Sequence, residues 1–361
     1  MKKIKIFLFN PYPSIGGVDT TIFRFINSLN LNKFEVEYLS LKKVKYFKNK
    51  NIIYTKIKSR SAFLSFFKIL KKIKKDKHDK KIFFSIQYFV NVWSILFIKL
   101  FLGIKIFIYE VNHLNELNYY SNYKEFIKKN IIKFLVKMLY KCADIVVGNS
   151  KELSNHLEKY INRKVYTLYN PCFDVIKFRQ KKYYSKNKIN ILNISRFEKQ
   201  KDHLTLLRAI NSSKIKHRLN LSLVGYGSKL QEIKNYIFKN KINAKIYLRE
   251  TKISKFYKKS DLYVCSSLYE GLPTTMIEAA SYCLPIISSN FQSGSKEILS
   301  NGKSGHIFKK GDFRKLSHYI ENFYNNPIKF YNKEKLCRKR LELFSIKKNS
   351  ELFNSLIKKL I

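Results

Sequence analysis

Leu262-Tyr263-Val264-Cys265-Ser266-Ser267-Leu268-Tyr269-Glu270-Gly271-Leu272-Pro273-Thr274-Thr275-Met276-Ile277-Glu278-Ala279-Ala280-Ser281-Tyr282-Cys283-Leu284-Pro285 is the stretch that decides the fold of this chain. Leu262 to Cys265 is an apolar run that suits a buried strand. Thr274 to Tyr282 suits a helix, with Thr at its start and Pro285 beyond its end. The spacing therefore predicts a strand–turn–helix unit, with Gly271-Leu272-Pro273 as the turn. Orphan backbone N–H groups and the dipole at such a helix start favour a phosphate. Glu270 on the turn can meet a sugar hydroxyl. Glu278 stands about one helical turn into the helix, where it can accept bonds from a ribose.

The same unit recurs upstream. Ile189 to Ile194 reads as a short buried strand and Asp202 to Ile210 as a helix. Arg196 and Lys201 lie on the loop between them. A diphosphate needs such neutralisation, which Arg supplies as a fixed fork of donors and Lys as a mobile point charge. Leu221 to Val224 runs into Gly225-Tyr226-Gly227 and then a further helix. Glycine lets the backbone approach a ligand closely, although a lone Gly-x-Gly serves equally as a plain strand–helix turn.

Apolar runs alternating with helical patterns argue α/β along the whole chain. Strands are predicted at 3–9, 34–40, 82–87, 104–110 and 144–148, and again at 189–194, 219–225, 244–248, 262–266 and 285–288. At 361 residues the chain is long enough for two domains with sizeable cores. The polar stretch 174–187 suits a linker between them. Residues 83–104 approach transmembrane length, but Lys99 and Gly103 favour strand, buried helix, strand. Residues 1–9 begin like a signal peptide, yet the apolar core is short and Asn10-Pro11 ends it, so a first strand is the better reading.

Read together, these motifs resemble the retaining glycosyltransferases of family 4. The resemblance rests on Glu270…Glu278, Arg196…Lys201, Gly225-Tyr226-Gly227, Tyr169-Asn170-Pro171 and Ser14-Ile15-Gly16-Gly17-Val18, in that family's order across nearly the whole chain. It implies the GT-B fold: two Rossmann-like parallel-sheet domains facing across a cleft and closing on the donor. A last helix from about Lys333 would cross back to the first domain. Expected bounds are 1–180 with 340–361 for an acceptor-binding domain and 181–339 for a nucleotide-sugar donor domain.

The resemblance also implies roles. Glu270 would contact the donor sugar and Glu278 the ribose. Arg196 and Lys201 would hold the diphosphate, together with the turn Gly271, Leu272, Pro273 and Thr274. Gly225 would belong to the same donor site, and Gly16 and Gly17 would approach the phosphates from the first domain. His113, after the strand at 104–110, would stand beside the donor sugar, where ligands of open α/β sheets sit. Gly294-Ser295-Lys296-Glu297-Ile298-Leu299 is similar to a loop that closes over the donor. No protein nucleophile is implied. Reaction would proceed by front-face attack with retention, and the departing phosphate would help to take the acceptor proton. A UDP-sugar is the first expectation for the donor and a GDP-sugar the second. No metal or other cofactor is expected, because the cations can neutralise the diphosphate. Three positions depart from the family pattern and bear on loop shape: Asp19, Asp202 where the family has Gly, and Arg249 or Glu250 where it has another Gly.

Composition limits the alternatives. The net charge is +47, and abundant Lys, Ile, Asn, Tyr and Phe also fit a codon bias toward these residues. Such a surface attracts polyanions and anionic lipid. Residues 61–75 and 124–141 read as basic amphipathic helices, which either pack on the first sheet or lie on a membrane surface. The acceptor is accordingly expected to be lipid-linked or a surface polysaccharide, with the chain cytoplasmic and peripheral on the inner face of the cell membrane. A nucleic-acid-binding protein is the rival reading, but no helix-turn-helix, zinc or RNP signature is present. A GT-B enzyme of other chemistry, a nucleotide-sugar hydrolase or epimerase, is a second rival. The five cysteines are scattered and form neither a zinc pattern nor a disulfide framework.

Overall fold

The computed structural model describes residues 3–13, 16–44, 49–120, 122–175 and 187–361. The chain forms two units, one of residues 1–171 with 346–361 and one of residues 172–345. The expected boundary at 180/181 and most of the expected linker fall outside the described residues, as do Ser14 and Ile15.

In the first unit the elements run β1 (Ile4–Phe9), α1 (Gly17–Asn27), β2 (Phe34–Ser40), β3 (Ile53–Lys56), α2 (Ala62–Lys75), β4 (Lys81–Ile86), α3 (Tyr88–Ser94), β5 (Lys105–Glu110), α4 (Tyr123–Leu139), β6 (Ile145–Gly148), α5 (Lys151–Ile161) and β7 (Tyr166–Thr167). The second unit holds β8 (Ile189–Ile194), α6 (His203–Ser212), β9 (Leu219–Gly225), α7 (Leu230–Lys239), β10 (Ala244–Leu248), α8 (Ser254–Lys259), β11 (Leu262–Cys265), α9 (Thr274–Ser281), β12 (Ile286–Ser289), α10 (Ser295–Ile298), β13 (His306–Phe308), α11 (Phe313–Asn325) and α12 (Pro327–Lys339). The last helix, α13 (Ile346–Lys358), belongs to the first unit.

Both sheets are parallel, ordered β3-β2-β1-β4-β5-β6-β7 and β10-β9-β8-β11-β12-β13. Parallel strands are covered on both faces, so they read as nearly continuous apolar runs. Alternate side chains of β1 serve opposite faces. Phe7 and Phe9 pack with Phe66 of α2 and the residues under α3 to α5, whereas Ile6 and Leu8 pack with α1 and α13. Phe353 of α13 lies among Phe25, Phe84 and Phe107, and this aromatic contact fixes the last helix on the first sheet.

The C-terminal segment is not the single helix expected from about Lys333. It is α12, a 3-10 turn Leu341–Phe344 and α13. The break has a physical cause. Ser345 is extended and bridges Phe173, and the Cys172 amide donates to the Phe344 carbonyl at 2.9 Å, so the chain enters and leaves the second unit at one place. The apolar stretch 83–104 is strand, buried helix and strand as expected, with a π-helical extension Ile95–Leu100. Lys99 within it meets Asp144 at 2.7 Å. Among the described residues no helix is long and apolar enough to cross a membrane.

Candidate functional site

In the second sheet the strand order reverses between β8 and β11, which pair directly (Leu262 opposite Ile191). Loops leaving the carboxyl ends of two such strands open a crevice, the usual ligand position in this architecture. The loop after β8 carries Arg196 and Lys201, and the loop after β11 carries Glu270. The topology therefore brings together residues that are 69 positions apart: the Lys201 ammonium is ion-paired with the Glu270 carboxylate. Both side chains are largely buried. The Ser267 hydroxyl donates to the same Glu270 oxygen at 2.7 Å. Arg196 is exposed on this loop, and its guanidinium lies 3.4 Å from Gln200 Oε1. Gln200 in turn ties the two loops, donating to the Tyr269 carbonyl at 2.8 Å and accepting from the Leu268 amide at 2.8 Å.

The turn that follows is buried from Glu270 to Pro273. Pro273 is the N-cap of α9 and no side chain caps that helix, so its first-turn amides keep the anion-binding character of a helix start. The Ser293 hydroxyl lies 3.2 and 3.1 Å from the carbonyls of Glu270 and Gly271. Gly294 is at φ +103, and a Cβ there would stand 2.6 Å from the Gly271 carbonyl oxygen. The loop before α10 thus lies directly on the turn.

Glu278 is one turn into α9 and half-buried. Its carboxylate accepts from the Tyr257 hydroxyl at 2.8 Å. Tyr257 comes from α8, is buried and stacks on Tyr282 with centroids 5.2 Å apart. Burial, then the charge of Glu278, pushes the Tyr257 hydroxyl well above the ordinary tyrosine range, so it stays a donor. Tyr263 of β11 donates to Thr275 Oγ1 at 2.7 Å from the same side. No motif marked Tyr257, Ser267 or Gln200; their roles come from contacts between segments distant in sequence.

At Gly225 and Gly227 the absent side chain makes room for a neighbouring loop. A Cβ on Gly225 would stand 1.9 Å from the Ser195 carbonyl oxygen, and one on Gly227 2.4 Å from that of Phe197. The backbone that approaches here is the protein's own. Phe197 donates to Tyr226 O and Lys229 to Phe197 O, both at 2.7 Å, and Glu198 accepts from Ser228 N at 3.0 Å. Gly225 therefore seats the loop that carries Arg196.

Two of the positions that depart from the family pattern adopt the positive φ that glycine favours. Asp202 sits in the left-handed region, φ 44, where a glycine would be at ease, and its carboxylate caps α6 by accepting from the Thr205 amide. Aspartate tolerates this conformation because its short side chain bonds locally. Arg249 adopts φ 54 at the second such position.

The first unit places Gly16 and Gly17 after β1 and His113 after β5, all at the carboxyl side of that sheet. Gly16 is the N-cap of α1 with extended backbone, and its carbonyl accepts from the amide and hydroxyl of Thr20, each at 3.1 Å. Asp19 is buried in the first turn of α1 and accepts from Asn10 Nδ2 at 2.8 Å. His113 is buried. Its Nδ1 accepts from the Asn115 amide at 3.2 Å, and its ring stacks on His156 of α5 with centroids 4.3 Å apart. Burial, then the neighbouring His156, holds the His113 imidazole down to about 4, so it is neutral near pH 7. Sequence reasoning missed His156, which no pattern tied to His113.

Residues 174–340 match the family Glycosyl transferases group 1. The chain is similar to the uncharacterized glycosyltransferase MJ1059 of Methanocaldococcus jannaschii, 31% identical across 50% of this chain and 48% of that one. It thus spans about half the length of that relative. It is also similar to a Campylobacter jejuni alpha-1,4-N-acetyl-D-galactosaminyltransferase named for a diNAcBac-PP-undecaprenol-linked substrate, 26% identical across 81% of this chain and 76% of that one. Among solved structures, Anabaena Alr3699/HepE in complex with UDP-glucose superposes with TM-score 0.80 over 99% of this chain and 100% of that chain. At 12% identity that likeness speaks to the fold alone, which is GT-B. Residues 174–340 therefore match a glycosyl transferases group 1 domain, in a chain of the GT-B fold.

Proposed function

We propose that this protein is a retaining glycosyltransferase that moves a sugar from a nucleoside diphosphate sugar, a UDP-sugar first, to a lipid-linked or polysaccharide acceptor of a cell-surface glycan. The observation that carries this reading is the Lys201–Glu270 pair at the foot of α9, with Glu278 one turn further on. They supply one cation for the diphosphate, one carboxylate for the sugar and one for the ribose, on adjoining loops and the helix that follows.

In this reading Arg196 and Lys201 neutralise the diphosphate in place of a metal, with Gly271, Leu272, Pro273 and Thr274 presenting backbone to it. Lys201 exchanges Glu270 for phosphate oxygens when the donor arrives, which frees the carboxylate to accept from a sugar hydroxyl. Glu278, oriented by Tyr257, accepts from the ribose. Neutral His113 contributes a hydrogen bond to the sugar rather than a charge. The C–O bond to the diphosphate breaks and the bond to the acceptor oxygen forms on the same face. The acceptor proton passes to the departing phosphate. The protein's share is positioning and stabilisation of leaving-group charge. The names of the C. jejuni and Anabaena proteins support a lipid-linked acceptor and a UDP-sugar; a lipid-linked acceptor fits work on the cytoplasmic side of the cell membrane.

The test is turnover. The protein is incubated with UDP- and GDP-sugars and an undecaprenyl-diphosphate-linked sugar, and products are read by mass spectrometry and anomeric NMR. A one-sugar mass gain with an α-linkage from an α-donor is expected. Inverted linkage, or release of nucleotide with no dependence on acceptor, contradicts the proposal.

A further inference from the structure

We infer that the outward face of α4 is a docking surface for an anionic lipid bilayer. The helix has 17 residues, and only Ile132 and Val136 are buried, with Leu135 and Leu139 partly packed on the core. At about 100° per residue these four define the inward side. Tyr123, Phe126, Ile127, Ile131, Phe134 and Met138 project from the opposite side across an arc of roughly 140°. All six are exposed, Tyr123 at 74% and Phe134 at 63%. The helix is thus apolar on two opposed faces. A helix apolar all round belongs in an apolar environment, and here one face has it and the other does not.

Charge selects the occupant. Lys124 borders the exposed arc on one side and Lys133 on the other, and Lys137 falls inside it; Lys128 and Lys129 lie further round, Lys128 exposed with its ammonium over the Phe89 ring at 4.6 Å. The only acid on the helix is Glu125, which pairs with Lys129 at 2.8 Å. A second copy of the chain would bring these lysines, on a protein of net charge +47, against their own kind. An anionic bilayer accepts the apolar arc among its acyl chains, while the lysine stems lie along the interface with their ammonium groups at the headgroups. Tyr120 packs edge-on against Phe126 at 4.9 Å, which adds an aromatic end to the patch with hydroxyls suited to the headgroup layer. α2 does not compete: its Phe66, Ile69 and Ile73 are buried, and only Leu64 and Phe67 of its large apolar side chains are exposed.

The aromatic end adjoins His113 in sequence through the 3-10 turn Leu114–Asn118, at the carboxyl side of the sheet. A bilayer held on α4 therefore lies beside the end of the unit that carries His113. The inference rests on the proposed function only for the identity of the acceptor in that bilayer.

The experiment is vesicle co-sedimentation of the full chain with phosphatidylcholine alone and with a phosphatidylcholine–phosphatidylglycerol mixture. Wild type is compared with Ile127→Ser/Ile131→Ser/Phe134→Ser and with Lys124→Gln/Lys128→Gln/Lys137→Gln. Binding to the mixed vesicles is expected to fall by roughly a hundredfold in the lysine variant and by at least as much in the apolar variant, with thermal stability unchanged because all six positions are exposed. Undiminished binding by the folded apolar variant overturns the inference, as does failure of wild type to bind mixed vesicles. A dimer in sedimentation velocity that the apolar variant dissociates assigns the face to a second copy and overturns it too. Nucleotide binding, measured without vesicles, reports separately on the donor reading.

Discussion

Glu270 and Glu110 both stand at the carboxyl side of a parallel sheet, one in each unit, in surroundings of opposite kind. Glu270 has a cation, Lys201, and one hydroxyl donor, Ser267. Glu110 ends β5 wholly buried, with no cation on it. Asn91 donates to its Oε1 at 2.6 Å, the Tyr140 hydroxyl donates to the same oxygen, and Oε2 has no partner. Burial dominates there and raises the Glu110 carboxyl well above the ordinary range. The second unit thus holds a charged pair, whereas the first holds a neutral polar cluster that fixes backbone. Tyr88, also against Glu110, donates to the Asn112 carbonyl at 2.7 Å, one residue before His113. A carboxyl group at a strand end does not by itself mark a charge site; its nearest donor decides.

Breaking the ion pair has the largest expected effect. Lys201→Met leaves Glu270 buried beside no countercharge and should cost about 3 kcal/mol of folding stability. Lys201→Met/Glu270→Gln should recover most of that loss in urea titration, since the uncompensated charge is gone. Equal losses in the single and double variants would show that the two residues do not act as a pair.

Glu110→Gln sharpens the other side. In wild type, the folded state keeps the Glu110 proton after the unfolded chain has lost it above pH 4.5. The folded state therefore binds more protons, and this group's contribution falls as pH rises from 4.5 toward its raised folded pKa, by up to about 1.4 kcal/mol per pH unit. Glutamine has no such proton. The stability of Glu110→Gln relative to wild type should climb steadily from pH 5 to pH 8 in thermal melts. A constant difference would mean that Glu110 is ionised in the fold.

The sequence exposes some parts of this molecule and conceals others for identifiable reasons. All ten expected strands are present, to within about a residue at their ends. The three strands not anticipated, β3, β7 and β13, are all edge strands, and β3 and β7 have two to four residues and no buried position. An edge strand packs against one neighbour and lacks the long apolar run that reveals a central one. The donor-loop residues were legible because charge and turn chemistry are local. Tyr257 was not, because a buried tyrosine reads as core until its hydroxyl is seen on Glu278. The purpose of Gly225 was equally hidden, since it lies in the distance to Ser195, thirty positions away. The apolar residues of α4 suggested either packing or a membrane surface, and the fold divides them between its two faces.

The most direct test of the donor site is thermal stabilisation by UDP, GDP, ADP and CMP, each at about 1 mM, for wild type and Glu278→Ala. A nucleotide at 100 times its dissociation constant stabilises a fold by roughly 2.7 kcal/mol. The proposed site predicts a shift with UDP in wild type that Glu278→Ala loses while remaining folded. No shift with any nucleotide in folded wild-type protein would contradict the site.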